Sequence, residues 1–379
     1  MSELNPLTHP DALDKLEALG QEDRRLRQRS QLISGALMLG FGLGLLARRR
    51  SNTTQFQGHN VLITGGTRGL GLQMVREFSR RGATVFFCAR HADEVDRAEE
   101  QLDREGYKNV FGLVADVAHP DGPASAVARI AAMAGPIDIL VNNAGTIQVS
   151  PFVDSDETAF HECLDVFLHA PLRMSREVLP EMMAAGTGTI VNITSIGGQI
   201  PAPHLVPYNC GKAAMVALSE GMSVELDRYG VNVLTVKPGL MRTGSHRNAM
   251  FGGHAAQEYE WFSRAAIAPG LAISASSAAN SICDAVAGRK RTLALGWEAK
   301  LGPLFHALMP ELSHSLTSFI EKRLPSAGAE PQPMAMGDLV APEATPLNAM
   351  LERLEKQAMD KHQAARYSVP DRGPQGVTV

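Results

Sequence analysis

Thr64-Gly-Gly-Thr-Arg-Gly-Leu-Gly71 is the stretch on which the fold turns. Before it, Val61-Leu62-Ile63 is an apolar run suited to a buried parallel strand; after it, Leu70 to Arg80 has the periodicity of an amphipathic helix. A glycine loop at such a junction lets the backbone turn tightly and points unpaired amides at an anion, whose charge the helix dipole favours. Gly65, Gly69 and Gly71 are the positions expected to meet a pyrophosphate, with Thr67, Arg68 and Leu70 beside them. The spacing is Gly-x-x-x-Gly-x-Gly rather than Gly-x-Gly-x-x-Gly, so the loop alone does not separate a dinucleotide site from an ordinary strand-helix turn.

Further strands follow. Ala83 to Cys88 reads as the second, Val114-Ala115-Asp116-Val117 ends a third, Ile137 to Gly145 ends a fourth, and Thr189 to Ser195 reads as a fifth. Strands alternating with helical stretches predict an α/β fold, a Rossmann-like doubly wound parallel sheet with right-handed crossovers. Ligands of such sheets lie beyond the carboxyl ends of the strands, where these polar residues fall. The second strand ends Cys88-Ala89-Arg90 with no acid until Asp93. A carboxylate there would suit the ribose 2′-hydroxyl of NAD, whereas cations suit the 2′-phosphate of NADP, so Arg90 and Arg68 favour NADP(H) over NAD(H). Asp116, with Val117 next to it, is placed for the adenine edge.

Tyr208 and Lys212 are four apart on a long helix, expected from Tyr208 to Tyr229, and so share one face. A phenol is a slow acid at neutral pH unless its environment lowers its pKa, which a neighbouring ammonium and a ribose hydroxyl can do. The expected roles are Tyr208 as acid, Lys212 as its electrostatic tuner and Ser195 as the hydrogen-bond partner of a substrate oxygen. A nicotinamide on one face of a carbonyl and a proton donor at its oxygen together describe hydride transfer.

Taken in order, Thr64 to Gly71, Asp116, Asn142-Asn143-Ala144-Gly145, Ser195, Tyr208-Asn-Cys-Gly-Lys212 and Lys237-Pro238-Gly239 followed by Thr243 resemble the short-chain dehydrogenase/reductase family, of the type called classical, over residues 57 to about 295. The resemblance implies a single Rossmann-like catalytic domain, an NAD(P) cofactor, a cofactor pocket supported by Asn143, Ala144 and Gly145, and a nicotinamide side lined by Pro238, Gly239 and Thr243. It also implies a homo-oligomer built on long helices. One position departs from the pattern. Where the family usually carries an asparagine that anchors a water in the proton relay to the lysine, this chain reads Asp165-Val166-Phe167-Leu168. A phenyl ring makes no conventional hydrogen bond, so the relay is rerouted, slowed or absent, and His169 and Asn192 are the candidates to replace it. The same residue motivates a second reading of the chain, a membrane-tethered NADP(H)-binding sensor or scaffold with weakened catalysis.

The chain has 379 residues, more than one such domain needs, with 44% hydrophobic residues and a net charge of -4 that offers no basic field for nucleic acid. Residues 1–50 contain Leu32 to Ala47, an uncharged run between arginine clusters, expected to be a membrane-anchor helix. As a helix it covers about 24 Å against a hydrocarbon core of about 30 Å, so it spans only with thinning or snorkelling. Arginines on both flanks leave orientation undecided. Four cysteines without paired spacing, together with the demand for NADPH, place the catalytic domain on the cytoplasmic side. Residues 296–324 read as an amphipathic extension of two short helices interrupted by Pro310, capping the substrate mouth or lying against lipid. Residues 325–379 read as a flexible tail with a short helix over 347–366. No metal-ligand cluster and no nucleic-acid motif is found. The expected function is therefore an NADPH-dependent carbonyl reductase, or the reverse alcohol dehydrogenase, acting on a hydrophobic ketone.

Overall fold

The computed structural model describes residues 54–267, 272–328 and 334–340. The chain begins with β1 (Asn60–Thr64), α1 (Gly69–Arg80), β2 (Thr84–Ala89), α2 (Ala92–Arg104), β3 (Val110–Val114), α3 (Gly122–Ala134) and β4 (Ile139–Asn142). A short β5 (Gln148–Val149) precedes α4 (Glu157–Leu164), a π turn (Asp165–His169) and α5 (Ala170–Ala185), followed by β6 (Gly188–Ile193), α6 (Val206–Glu225) and β7 (Val231–Pro238). The remainder holds β8 (Met241–Arg242), β9 (Met250–Phe251), α7 (Ala255–Ile267), β10 (Ile273–Ser274), α8 (Ala275–Ala287) and β11 (Thr292–Leu295). Last come α9 (Trp297–Leu308), α10 (Pro310–Glu321), β12 (Ala335–Met336) and α11 (Gly337–Val340).

Seven strands form one sheet in the order β11-β7-β6-β4-β1-β2-β3, every pairing parallel. The chain runs outward from β1 to β3, then returns to β4 on the other side of β1, so the order reverses between β1 and β4. At that reversal a crevice opens beyond the strand ends. Alternation along β1 explains the two faces: Val61 and Ile63 join Leu72, Met74 and Phe78 of α1 and residues of α8, while Leu62 joins Ile130 of α3 and Met174 of α5. Both faces are apolar because helices cover both. One buried cation ties α1 to α8: the fully buried Arg81 donates to Glu77 at 2.7 Å and to Asp284 at 2.7 Å. Removing either acid would leave part of that charge unpaired in the interior, the situation in which an ion pair is costly to break.

The structure shifts several expected boundaries. β3 stops at Val114, where its β2 partner Ala89 ends, so Ala115, Asp116 and Val117 follow the strand. β6 stops at Ile193, and Ser195 instead caps a 3-10 turn over Ile196–Gly198. The helix carrying Tyr208 ends at Glu225, and Asp227–Tyr229 is a separate 3-10 turn closed by Gly230 in the left-handed region. Within the stretch expected to be a flexible tail, residues 335–340 are structured: β12 pairs antiparallel with β9, and α11 follows. Gly337 permits this, since a Cβ there would lie 2.3 Å from the His246 carbonyl oxygen. Leu32 to Ala47 and the expected helix over 347–366 lie outside the described residues. Among the described residues no helix is long and apolar enough to cross a membrane.

Candidate active site

The ends of β1 and β4 are laced together around the glycine loop. Asn143 Nδ2 donates to the carbonyls of Thr64 and Gly65, both at 3.0 Å, while Thr64 Oγ1 accepts from the amides of Asn143 and Ala144, also at 3.0 Å. Gly65 has φ +66, and a Cβ there would stand 2.9 Å from Ala144 Cα; at Gly71 it would stand 2.1 Å from the Gly65 carbonyl oxygen. Only glycine fits either place. Helix α1 then starts with no side-chain cap at Arg68 and no acid in its first turn, so its leading amides stay available to an anion.

Next to the loop the electrostatics differ from expectation. Arg68 Nη1 donates to Glu94 Oε1 at 2.7 Å, and Thr67 Oγ1 donates to Glu94 Oε2 at 3.1 Å. Arg90 is exposed, its Nε donating to His91 Nε2 at 3.0 Å. Asp93, the nearest acid in sequence, pairs with Arg97 at 2.8 Å on the outer face of α2. Glu94 is the residue missed by sequence reasoning, and helical period was the signal: it lies on one stripe with Ala98 and Leu102, all buried. Asp116 is exposed, with Oδ1 accepting from the Ala118 amide at 3.0 Å.

At the other end of the crevice, Lys212 is buried, and its ammonium donates to the Ile193 carbonyl at 2.8 Å. The ammonium stands 4.0 Å above the centre of the Phe167 ring and 5.8 Å from that of Tyr208. Burial lowers the Lys212 pKa to about 7. Burial also pushes the Tyr208 phenol above its ordinary value, hydrogen bonding with Ser195 opposes this, and Cys163 adds to it. In the protein alone the phenol therefore stands above its ordinary value, whereas the expected lowering called for a ribose hydroxyl as well as the ammonium. Ser195 Oγ accepts from the Gly197 amide at 3.0 Å, which orients it at the start of its turn. Burial raises the Cys88 and Cys163 thiols to about 12, so neither is a thiolate nucleophile.

Phe167 sits on the π turn, where one extra residue per turn swings it inward until it is 1% exposed. Its ring meets Tyr208 edge to face at 5.4 Å and fills the place a Cβ of Gly211 would need, 2.7 Å from Phe167 Cδ2. Neither proposed replacement for the relay reaches the lysine. His169 Nδ1 is tied to Asp165 Oδ1 at 2.9 Å, and Asn192 is spent in a buried network: it accepts from Asn142 at 2.9 Å and donates to Ser219 at 3.0 Å. The ring instead offers the ammonium its π face, a cation–π contact worth about 2 kcal/mol when desolvated.

The crevice is a cleft of about 340 Å³. It is lined by Gly65, Thr67, Arg68, Gly69, Leu70 and Gly71 of the loop, by Arg90, Asp116, Val117, Asn143, Ala144 and Gly145, and by Phe167, Tyr208, Lys212 and Thr243. Pro238 and Gly239 are not among its lining residues: Pro238 pairs with Leu295 at the end of β7, and Gly239 faces Glu298, which accepts from the Leu240 amide at 3.2 Å. Ser195 also stands just outside the lining, beside Tyr208. On the far side of Tyr208 lies an apolar cluster of Val149, Leu205, Ala249, Phe251 and Tyr259. It is pinned by a buried carboxylate: Glu258 of α7 binds His204 Nδ1 at 2.9 Å and accepts from Trp261 Nε1 at 2.6 Å. His204 itself has φ 58, a left-handed conformation that costs a non-glycine residue about 1–3 kcal/mol. Those bonds hold the loop that leads into Tyr208.

A parallel sheet with a glycine-lined crevice at its switch point and, across it, a half-buried tyrosine beside a buried lysine defines a dinucleotide-dependent oxidoreductase architecture. Comparison with known proteins agrees. A family model described as short chain dehydrogenase matches residues 59–250. The chain is 37% identical over 179 residues to an uncharacterized oxidoreductase, YvrD, of Bacillus subtilis, covering 47% of this chain and 67% of that one. Among solved structures it is similar to a short-chain dehydrogenase from Streptomyces avermitilis, with TM-score 0.59 and 29% identity over 70% of this chain and 97% of that one. It is also similar to a gluconate 5-dehydrogenase from Burkholderia cenocepacia in complex with NADP and tartrate, with TM-score 0.57 and 25% identity over 66% and 98%. The chain belongs to the short-chain dehydrogenase family, and it is an oxidoreductase acting on CH–OH or C=O groups.

Proposed function

We propose that the protein is an NADP(H)-dependent carbonyl reductase, or the reverse alcohol dehydrogenase, acting on a hydrophobic ketone with Tyr208 as the acid/base. The observation that carries this reading is the cleft that Tyr208 and Lys212 line together with the glycine loop. Residues 65 to 71 fit a pyrophosphate, because two glycines leave space that a Cβ would fill and the first-turn amides of α1 are uncapped. When bound, the nicotinamide supplies the hydride. Tyr208 gives its proton to the carbonyl oxygen, Ser195 donates a hydrogen bond to that oxygen, and the Lys212 ammonium stabilises the phenolate left behind. Asn143 holds the two loops together, Asp116 and Val117 take the adenine edge, and Thr243 borders the nicotinamide side.

The preference for NADP(H) rests on Arg90, exposed at the end of β2, and on Arg68. Glu94 counters it by occupying Arg68. Arg90→Asp is expected to weaken NADPH at least about tenfold in a binding titration, the loss of a charged hydrogen bond, while Glu94→Gln strengthens it. Equal affinity for NADPH in the parent and in Arg90→Asp would remove the basis for the preference.

A hydrophobic substrate is supported by the apolar cluster packed against Tyr208. The test is a ketone panel: long-chain acyl, sterol and sphingoid ketones in detergent against small soluble ones. Efficient reduction of the soluble ketones with no turnover of the lipid-like ones would overturn it. We further propose a membrane tether at Leu32 to Ala47, a cytoplasmic catalytic domain and a homo-oligomer.

A further inference from the structure

Helices α9 and α10 form a hairpin with its polarity reversed. On α9, Trp297, Leu301, Leu304, Phe305 and Leu308 recur at helical spacing and form one apolar stripe, yet all are exposed, Leu308 by 72% and Trp297 by 58%. On α10, Leu312, Leu316, Phe319 and Ile320 repeat the pattern and are likewise exposed. What the hairpin turns inward is small or polar: Ala299 and Ser313 are its buried residues, and Ser313 Oγ shares a hydrogen bond with His306 Nδ1 at 3.0 Å. A water-facing helix pair buries its apolar stripes; this one displays both, and apolar surface of this extent left exposed marks a contact site.

The charges on α10 select the occupant. By the 3.6-residue period, Glu311 and Glu321 fall on the side away from the stripe. Arg323, just past the helix, falls at the end of the stripe, with its guanidinium 3.4 Å above the Phe319 ring. An apolar face whose terminal charge is an arginine lying on an aromatic ring matches acyl chains below and phosphate headgroups above. Two further observations agree. The sequence carries an uncharged run between arginine clusters at Leu32 to Ala47, a separate signal for lipid. The inner side of α9 meets the turn that follows Ser195: a Cβ at Gly302 would lie 2.9 Å from Ile200 Cδ1 and 3.3 Å from Ile196 Cδ1.

We infer that the α9–α10 hairpin is an interfacial lipid-docking surface, lying in the plane of an anionic bilayer with Trp297, Leu308 and Phe319 in its acyl region and Arg323 at the phosphates. This places the turn bearing Ser195 close to the membrane, so that a lipid-like ketone would enter from the bilayer side. That route of entry rests on the reductase reading, but the docking does not.

Trp297 is one of two tryptophans in the chain, and the other, Trp261, lies in the apolar cluster on α7. The full chain is mixed with vesicles of phosphatidylcholine and phosphatidylglycerol whose acyl chains carry bromine, and tryptophan emission is compared between the parent and Trp297→Phe. Docking predicts a shift of the parent emission to shorter wavelength and its quenching by bromine, both absent from Trp297→Phe. Leu308→Asp, on a side chain already in water, lowers the quenched fraction at matched lipid at least about tenfold, and Arg323→Glu lowers it only when phosphatidylglycerol is present. Flotation of the parent with the vesicles without quenching of Trp297 would overturn the inference, because the attachment would then reside elsewhere in the chain. A wavelength shift that follows protein concentration in the absence of lipid would also overturn it, in favour of a second copy of the chain on the same stripe. NADPH binding, measured in parallel, reports the cleft separately, so failure of docking and failure of the reductase reading are distinguishable.

Discussion

Tyr208→Phe is expected to reduce kcat/KM for ketone reduction by about 10²–10⁴-fold, the range of a lost general acid, while NADPH affinity in a direct titration changes little. The substitution removes one oxygen and keeps the ring that packs edge to face on Phe167, so a fold-wide effect is not expected. Burial holds the phenol above its ordinary pKa, so it remains protonated through the neutral range and is ready to act as the acid of a reduction. The pH dependence comes from its neighbour. Lys212 titrates at about 7, below its ordinary value, so the ammonium is present below that pH and is lost as pH rises through it. Reduction is accordingly expected to weaken on the alkaline side of about pH 7 in the free enzyme, the limb that kcat/KM reports. NADPH binding as tight as in a working reductase, with turnover on every ketone that is the same in parent and Tyr208→Phe, would favour the second reading, in which the protein senses or scaffolds the cofactor.

The other large effect is expected at Phe167. Its ring is 1% exposed and touches the space beside Gly145, Gly211 and Tyr208 while lying 4.0 Å below the Lys212 ammonium. Phe167→Asn is expected to cost about 3–5 kcal/mol of stability, as for other large-to-small core changes, read as a fall in the urea midpoint at constant m-value. Phe167→Leu isolates the electrostatic part. It keeps apolar bulk but removes the π face, so the Lys212 limb should move to lower pH by about one and a half units, the equivalent of a cation–π contact of about 2 kcal/mol. Asparagine differs from leucine in offering a carbonyl to the ammonium, and it should bring the limb back and raise the rate if the missing relay limits turnover. Identical pH profiles in the parent, Phe167→Leu and Phe167→Asn would show that the ring does not tune the lysine.

Why Phe167 was legible only as a defect in the sequence, and as a contact in the structure, follows from the local fold. The sequence showed a phenyl ring where a hydrogen-bonding side chain was expected, and His169 and Asn192 were the candidates to replace it. The π turn and the absence of a side chain at Gly211 set the direction of the ring, and neither is a property of residue 167 itself. Glu94 teaches a similar lesson. Asp93 and Glu94 are adjacent acids, but helical phase sends Asp93 outward to Arg97 and Glu94 inward to Thr67 and Arg68. Pro238 and Gly239 were expected in the nicotinamide wall, and no sequence pattern signalled that Glu298, about sixty residues further on, stands against Gly239 and the Leu240 amide.

What the sequence determined by itself is whatever depends on short-range period and backbone freedom. Apolar runs set the strands, glycines permit the turn after β1, the four-residue step puts Tyr208 and Lys212 on one helix face, and Pro310 opens the second helix of the hairpin. Tertiary structure decided what depends on the dielectric and on contacts between distant segments: that burial holds Lys212 near 7 and raises Tyr208, that Arg68 is neutralised by Glu94, and that α9 and α10 turn their apolar stripes outward. A helical stripe is visible in sequence whether it faces core or solvent, because period records which residues share a side and only packing records what that side meets.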